Sequence, residues 1–302
     1  MKKYIKFILI LFFIFLEIYV LFNSKNVIDE FSYTLKICLY SLMPTMFSSI
    51  LISKILIELN FEKYIPKFII NSISKLFKIN DKESSIFLLS ILSGYPNNSK
   101  MLIDNPNLNK IILFSNHVNP LFLICTVGGI YLKNIYLALI IYLSHIISSI
   151  ILGIIIRRKK LYSVTKKENK INKNFFEIYF SSLKDTSLTL VNIFSNILFF
   201  SILISLLKNI LIFNPITNYF IIGIFEFSAG INLICSLKIS YFLKCIFILI
   251  IITFGSFSIH MQMISINPKI KYTKYLLYRI LNVFISIIIF IFLFKVYNLI
   301  LY

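Results

Sequence analysis

Apolar residues fill this chain in blocks long enough to span a membrane, and polar residues together with glycine or proline interrupt the pattern inside four of them. The first block, 7–22, follows Lys2, Lys3 and Lys6 and contains Glu17. The second, 33–59, carries Pro44, which predicts a kink. A mixed-charge, partly amphipathic connector at 62–83 leads to three apolar segments: one broken around Gly94, one at 111–131 and one at 135–156. After a basic loop the order recurs, with apolar segments at 188–207, 219–237 and 241–266. Then come a basic stretch, Lys269, Lys271, Lys274 and Arg279, and a last span at 276–294.

The interruptions are the informative part. Residues 84–93 would cover about 15 Å as a helix, roughly half of a hydrocarbon core about 30 Å thick. They run into Ser93-Gly94-Tyr95-Pro96-Asn97-Asn98-Ser99-Lys100, where Gly94 suits a left-handed helix end and Pro96 suits the start of the next half-helix. Pro120 repeats the device after Asn116-His117-Val118-Asn119. In the second half glycine loosens the helix, at Phe225-Glu226-Phe227-Ser228-Ala229-Gly230 and at Phe254-Gly255-Ser256-Phe257-Ser258 through His260 and Gln262. Irregular backbone at membrane depth is tolerated only where protein or a polar cavity surrounds it, and positive half-helix N-termini attract anions.

Charge then sets topology. The formal charge of +19 sits in short segments between apolar blocks, so it reads as a positive-inside signal and not as a nucleic-acid surface. The N-terminus and the 157–173 loop, which holds Arg157-Arg158-Lys159-Lys160, are expected on the cytoplasmic side. Three full crossings cannot join two loops on one side. At least one segment must therefore enter and return, and the half-length segment at Gly94 is the candidate. The pentapeptide Ser49 to Ser53 recurs as Ser201 to Ser205 in the span that opens the second half, which supports an internal duplication.

With 58% hydrophobic residues and a mean hydropathy of +0.87, the expected fold is an all-α polytopic membrane protein. It would have two repeated halves with broken or re-entrant helices and about eight membrane segments. The expected organisation is an anchor helix at 1–30, a first repeat at 31–156, a basic loop at 157–184 and a second repeat with a C-terminal span at 185–302. The sequence contains no P-loop, dinucleotide fingerprint, metalloprotease motif or nucleophile elbow, and its four cysteines lack ligand spacing. No enzyme, cofactor or metal is expected.

The four breaks, in this order, resemble the sporulation integral membrane protein family of the stage V dipicolinate-transport type, whose members carry Gate (nucleoside-recognition-like) domains. Ser93-Gly94-Tyr95-Pro96 with Lys100 is similar to that family's Ser-Gly-Tyr/Phe-Pro motif, with Asn98 and Ser99 where glycine and alanine are usual. Asn116 and Asn119-Pro120-Leu121-Phe122 resemble its Asn-rich Pro-Leu-Phe segment. Gly223, Glu226 and Gly230 resemble its Gly-Leu-Leu-Glu stretch, and Phe254-Gly255 with Ser258 and Gln262 its last motif. The resemblance implies movement of dipicolinic acid, a small aromatic dicarboxylate, across a forespore membrane, with other sporulation membrane proteins as partners.

The candidate solute-binding residues are Gly94, Pro96, Asn97, Lys100, Asn116, Asn119, Pro120, Glu226, Ser258 and Gln262. Lys100 would neutralise a ligand carboxylate together with the amides after Pro96 and Pro120, or else snorkel from a helix end. Glu226 would carry a proton or pair with Lys100, or hold two helix breaks together. His117 and His260 are proton-relay candidates or structural histidines. A permease for nucleosides or another small solute, and a membrane scaffold that transports nothing, stay open as alternatives.

Overall fold

The computed structural model describes residues 2–102, 105, 107–157 and 174–301, so most of the expected basic loop lies outside the described residues. The fold is all-α, with no strand among those residues. Among the described residues six helices are long and apolar enough to cross a membrane, and their outer faces carry exposed phenylalanine, leucine and isoleucine side chains. The protein is an integral, polytopic membrane protein.

Helix α1 (Lys2–Phe22) is almost all exposed apolar surface, with only Leu16 and Tyr19 buried. Glu17 sits on its exposed face and does not turn inward as an intramembrane carboxylate usually does. The second span starts earlier than its apolar pattern, because α2 (Ser24–Ile37) runs without interruption into α3 (Met43–Glu58). The boundary expected at residue 30 therefore falls within a continuous span. Between α2 and α3 the backbone widens into one π turn, Cys38–Leu42, in which Met43 N–H bonds to Cys38 O. Pro44 brings no N–H, and this local widening accommodates it.

An amphipathic helix, α4 (Lys67–Phe77), leads to α5 (Asp81–Ser93), which opens with a reciprocal cap between Asn80 and Glu83. Short α6 (Asn97–Met101) and α7 (Leu108–Ser115) follow. Asn107 Nδ2 donates to Glu83 Oε1 at 2.7 Å, so α5 and α7 start at one level, and Tyr95 N–H donates to His117 O at 2.7 Å, so they end at one level. The two helices run parallel. By Asn107 the chain is accordingly back at the level where α5 began.

A wide helix, Phe122–Tyr131, continues beyond the second break and turns back into α8 (Ile135–Ile156). The second half opens with α9 (Phe175–Ile210) and then α10 (Pro215–Phe225) and α11 (Phe227–Ser236). At Glu226 the backbone is extended and the chain folds sharply, so that a Cβ on Gly230 would lie only 2.0 Å from Gly223 Cα. Helices α12 (Tyr241–Phe254) and α13 (Phe257–Ile266), broken at Gly255 and Ser256, lead to the long α14 (Tyr272–Leu301).

Each half thus runs as long helix, sharply folded segment, interrupted helix, long helix. The opening helices pack against each other in opposite directions: Glu30 of α2 pairs with Lys208 near the end of α9, and Lys54 of α3 meets Asp185 near its beginning, at 3.5 Å. From Glu30 to Lys54 a helix advances about 36 Å, so the two contacts are separated by more than the thickness of a hydrocarbon core of about 30 Å. Helix α14 packs along α8, joined through Asn282 Nδ2 and Ser149 Oγ.

Candidate functional site

All four backbone interruptions meet at one place in the bundle. Gly94, at φ +70°, lies so close to the second break that a Cβ would stand 2.5 Å from Asn119 N. Only glycine combines that conformation with that approach. Asn119 completes the joint, since its Nδ2 donates to Ser93 O and Ser49 Oγ while its Oδ1 accepts from Phe122 N–H at 3.1 Å. The aromatic rings of Tyr95, from the first break, and Phe122, after the second, stand edge-on to Phe227 of the third at 5.9 and 5.3 Å. Ser256 Oγ, from the fourth break, donates to Gly223 O, and Phe257 packs on Phe225 at 5.5 Å.

Arg279 ties the second break to the fourth. The pattern of basic residues places it in a surface stretch; the structure instead buries it completely, in the third turn of α14. Its Nη1 donates to Asn116 O at 3.1 Å, its Nε to Phe254 O at 3.2 Å and its Nη2 to Ile252 O at 3.5 Å. These carbonyls belong to the ends of α7 and α12, where helix dipoles are negative, so one guanidinium satisfies two interrupted helices. No carboxylate lies within ion-pair distance of it among the described residues. The available signal in the sequence was an arginine set among Leu276, Leu277, Ile280 and Leu281.

The expected site residues divide by what they already bond. Glu226 caps α11: its carboxylate accepts from Ser228 N–H, Ala229 N–H and Ser228 Oγ at 2.8–3.1 Å. That positive helix end is therefore taken by a side chain of the protein. Asn119 does the same for the helix that Pro120 opens, and Pro96 immediately precedes α6. Asn116 Nδ2 donates to Tyr275 Oη at 2.6 Å. Lys100 pairs with Asp185 at 3.1 Å and makes no ion pair with Glu226.

The histidines are engaged in structure. His260 Nε2 bonds Phe254 O at 3.0 Å and its Nδ1 faces Tyr272 Oη at 3.3 Å. His117 Nδ1 faces Ser90 Oγ at 3.0 Å. His145, which the break pattern does not single out, accepts from Val118 N–H through Nε2 at 3.3 Å, which leaves Nδ1 to donate to Thr253 Oγ1 at 3.1 Å. It thereby satisfies a buried amide of the second break.

Around these joints the polar side-chain atoms Ser93 Oγ, Tyr95 Oη, Asn97 Nδ2, Asn98 Oδ1, Asn116 Oδ1, His117 Nε2, Ser258 Oγ and Gln262 Nε2 are buried without a hydrogen-bond partner in the protein. Buried polar groups are almost always paired, so such a concentration is unusual in a folded interior. Donors and acceptors of several geometries stand there unused by the protein itself. Comparison with known proteins finds no matching family model, no matching curated protein and no matching solved structure.

Proposed function

We propose that this membrane protein is a secondary-type carrier for a small polar anion, with dipicolinate as the first solute to test and a forespore membrane as its site of action. One observation carries the reading: four interruptions on four separate elements converge inside an apolar bundle and leave a concentration of unpartnered polar atoms between them. Carriers place their solute where interrupted helices meet near the membrane midplane. The buried charge of Arg279, balanced by helix dipoles alone, gives the junction a positive potential that favours an anion. The resemblance in motif order supplies the choice of dipicolinate.

Two further features support the carrier reading. The recurring element order and the opposed directions of the opening helices suit a duplicated, inverted architecture. The parallel run of α5 and α7, and the fold-back at Glu226, suit segments that enter the membrane and leave on the same side, as the charge pattern requires.

A second reading is a permease for nucleosides or another neutral solute. It is favoured by the uncharged nature of every unpartnered group at the junction. Purified protein in liposomes, assayed for dipicolinate and nucleoside flux with and without a proton gradient, separates the two. Flux of dipicolinate supports the first reading, flux of nucleosides alone the second, and flux of neither removes both.

A further inference from the structure

We propose that Lys54 and Lys100 form a binding site for a small carboxylate at one end of the bundle, and that Asp185 occupies it as a resident substitute. For its place in transport the proposal rests on the carrier reading; as a binding site it stands on its own geometry. The site joins three elements that are far apart in sequence. Lys54 comes from α3, Lys100 from α6 and Asp185 from α9, and Asp185 Oδ2 lies 3.5 Å from the first ammonium and 3.1 Å from the second. Thr189 Oγ1 is 3.4 Å from both ammonium nitrogens.

With both lysines protonated, two cations share one carboxylate, and the cluster then keeps a unit of positive charge. Asp185 is the replaceable member: its side chain is 55% exposed, whereas that of Lys54 is 10% exposed and held in place. The Thr189 hydroxyl donates to Asp185 O at 2.7 Å, so it meets both lysines as an acceptor. Each ammonium has three donors; Lys100 uses two on these partners, and Lys54 uses one on Thr189 beside its ion pair with Asp185. The same helices also present Ser99, Ser182 and Thr186, all buried, with hydroxyl groups that have no partner in the protein. An incoming carboxylate can therefore displace Asp185 into solvent and neutralise the excess charge.

Isothermal titration of the purified protein with dipicolinate tests the site, with inosine as the uncharged control. Asp185→Asn removes the competitor at an exposed position, and should bind dipicolinate about tenfold more tightly than the wild type. Lys54→Gln and Lys100→Gln should each weaken binding about tenfold or more, and Lys54→Arg should retain most of it; thermal unfolding checks that each variant is folded. Equal affinity in wild type and Asp185→Asn overturns the site, as does undiminished affinity in a folded Lys54→Gln protein, or no dipicolinate binding to either wild type or Asp185→Asn. Flux in liposomes keeps the two ideas distinguishable. Transport with a half-saturation that ignores Asp185→Asn and Lys54→Gln sinks the site and leaves the carrier, while charge-dependent binding without flux does the reverse.

Discussion

Arg279 and Asn116 stand 163 positions apart in the chain, yet the guanidinium Nη1 of one donates to the main-chain carbonyl of the other at 3.1 Å, inside the bundle. The same side chain reaches Phe254 O, so one charge holds the ends of two interrupted helices. Replacing it with methionine leaves Asn116 O buried without this donor and Phe254 O with His260 alone, and we expect a loss of about 1–3 kcal/mol. Arg279→Lys retains the charge without the planar fork and should lose less. Thermal unfolding in detergent ranks the two. Equal stability of Arg279→Met and the wild type would remove this residue from the account.

Gly94 tests the joint between the first two breaks. A methyl group there meets Asn119 N at 2.5 Å in a backbone conformation at φ +70°. Gly94→Ala should therefore destabilise the protein by about 2–4 kcal/mol and lower solute flux along with the folded fraction. Gly129 is the internal control, because the nearest atom to its Cβ would be at 3.9 Å; Gly129→Ala should leave the melting temperature close to that of the wild type.

Glu226 is engaged as a helix cap through three short hydrogen bonds. Glu226→Ala should cost about 1–2 kcal/mol, the usual value of a lost N-terminal cap. Glu226→Gln keeps one acceptor oxygen and should transport with the same dependence on pH as the wild type. A shifted pH profile in that variant would show that the carboxyl moves a proton after all.

Asn97 offers the cleanest separation of binding from folding. Its side chain is 1% exposed and its Nδ2 has no partner in the protein. Asn97→Ala removes no internal hydrogen bond through that atom, so its unfolding temperature should stay within a few degrees of the wild type. Solute affinity should fall about tenfold, the usual value of one lost hydrogen bond to a charged ligand. A large drop in stability with unchanged affinity would make it a packing residue.

The amino-acid sequence by itself determined that this is a membrane protein of apolar spans broken at Gly94, Asn119, Glu226 and Gly255. Span length, helix-breaking residues and the cost of lone polar groups in hydrocarbon are all local properties, legible over twenty residues or fewer. Which groups satisfy one another was decided only by the tertiary structure. Arg279 looked like part of a basic stretch because it follows Lys269, Lys271 and Lys274, yet α14 begins at Tyr272 and carries it inward. Lys100 looked like a partner for Glu226, but Glu226 was already bonded to the amides beside it and Asp185 was within reach across α9. Electrostatic partners are chosen by distance in space, and for residues 85 positions apart that distance exists only once the helices have packed.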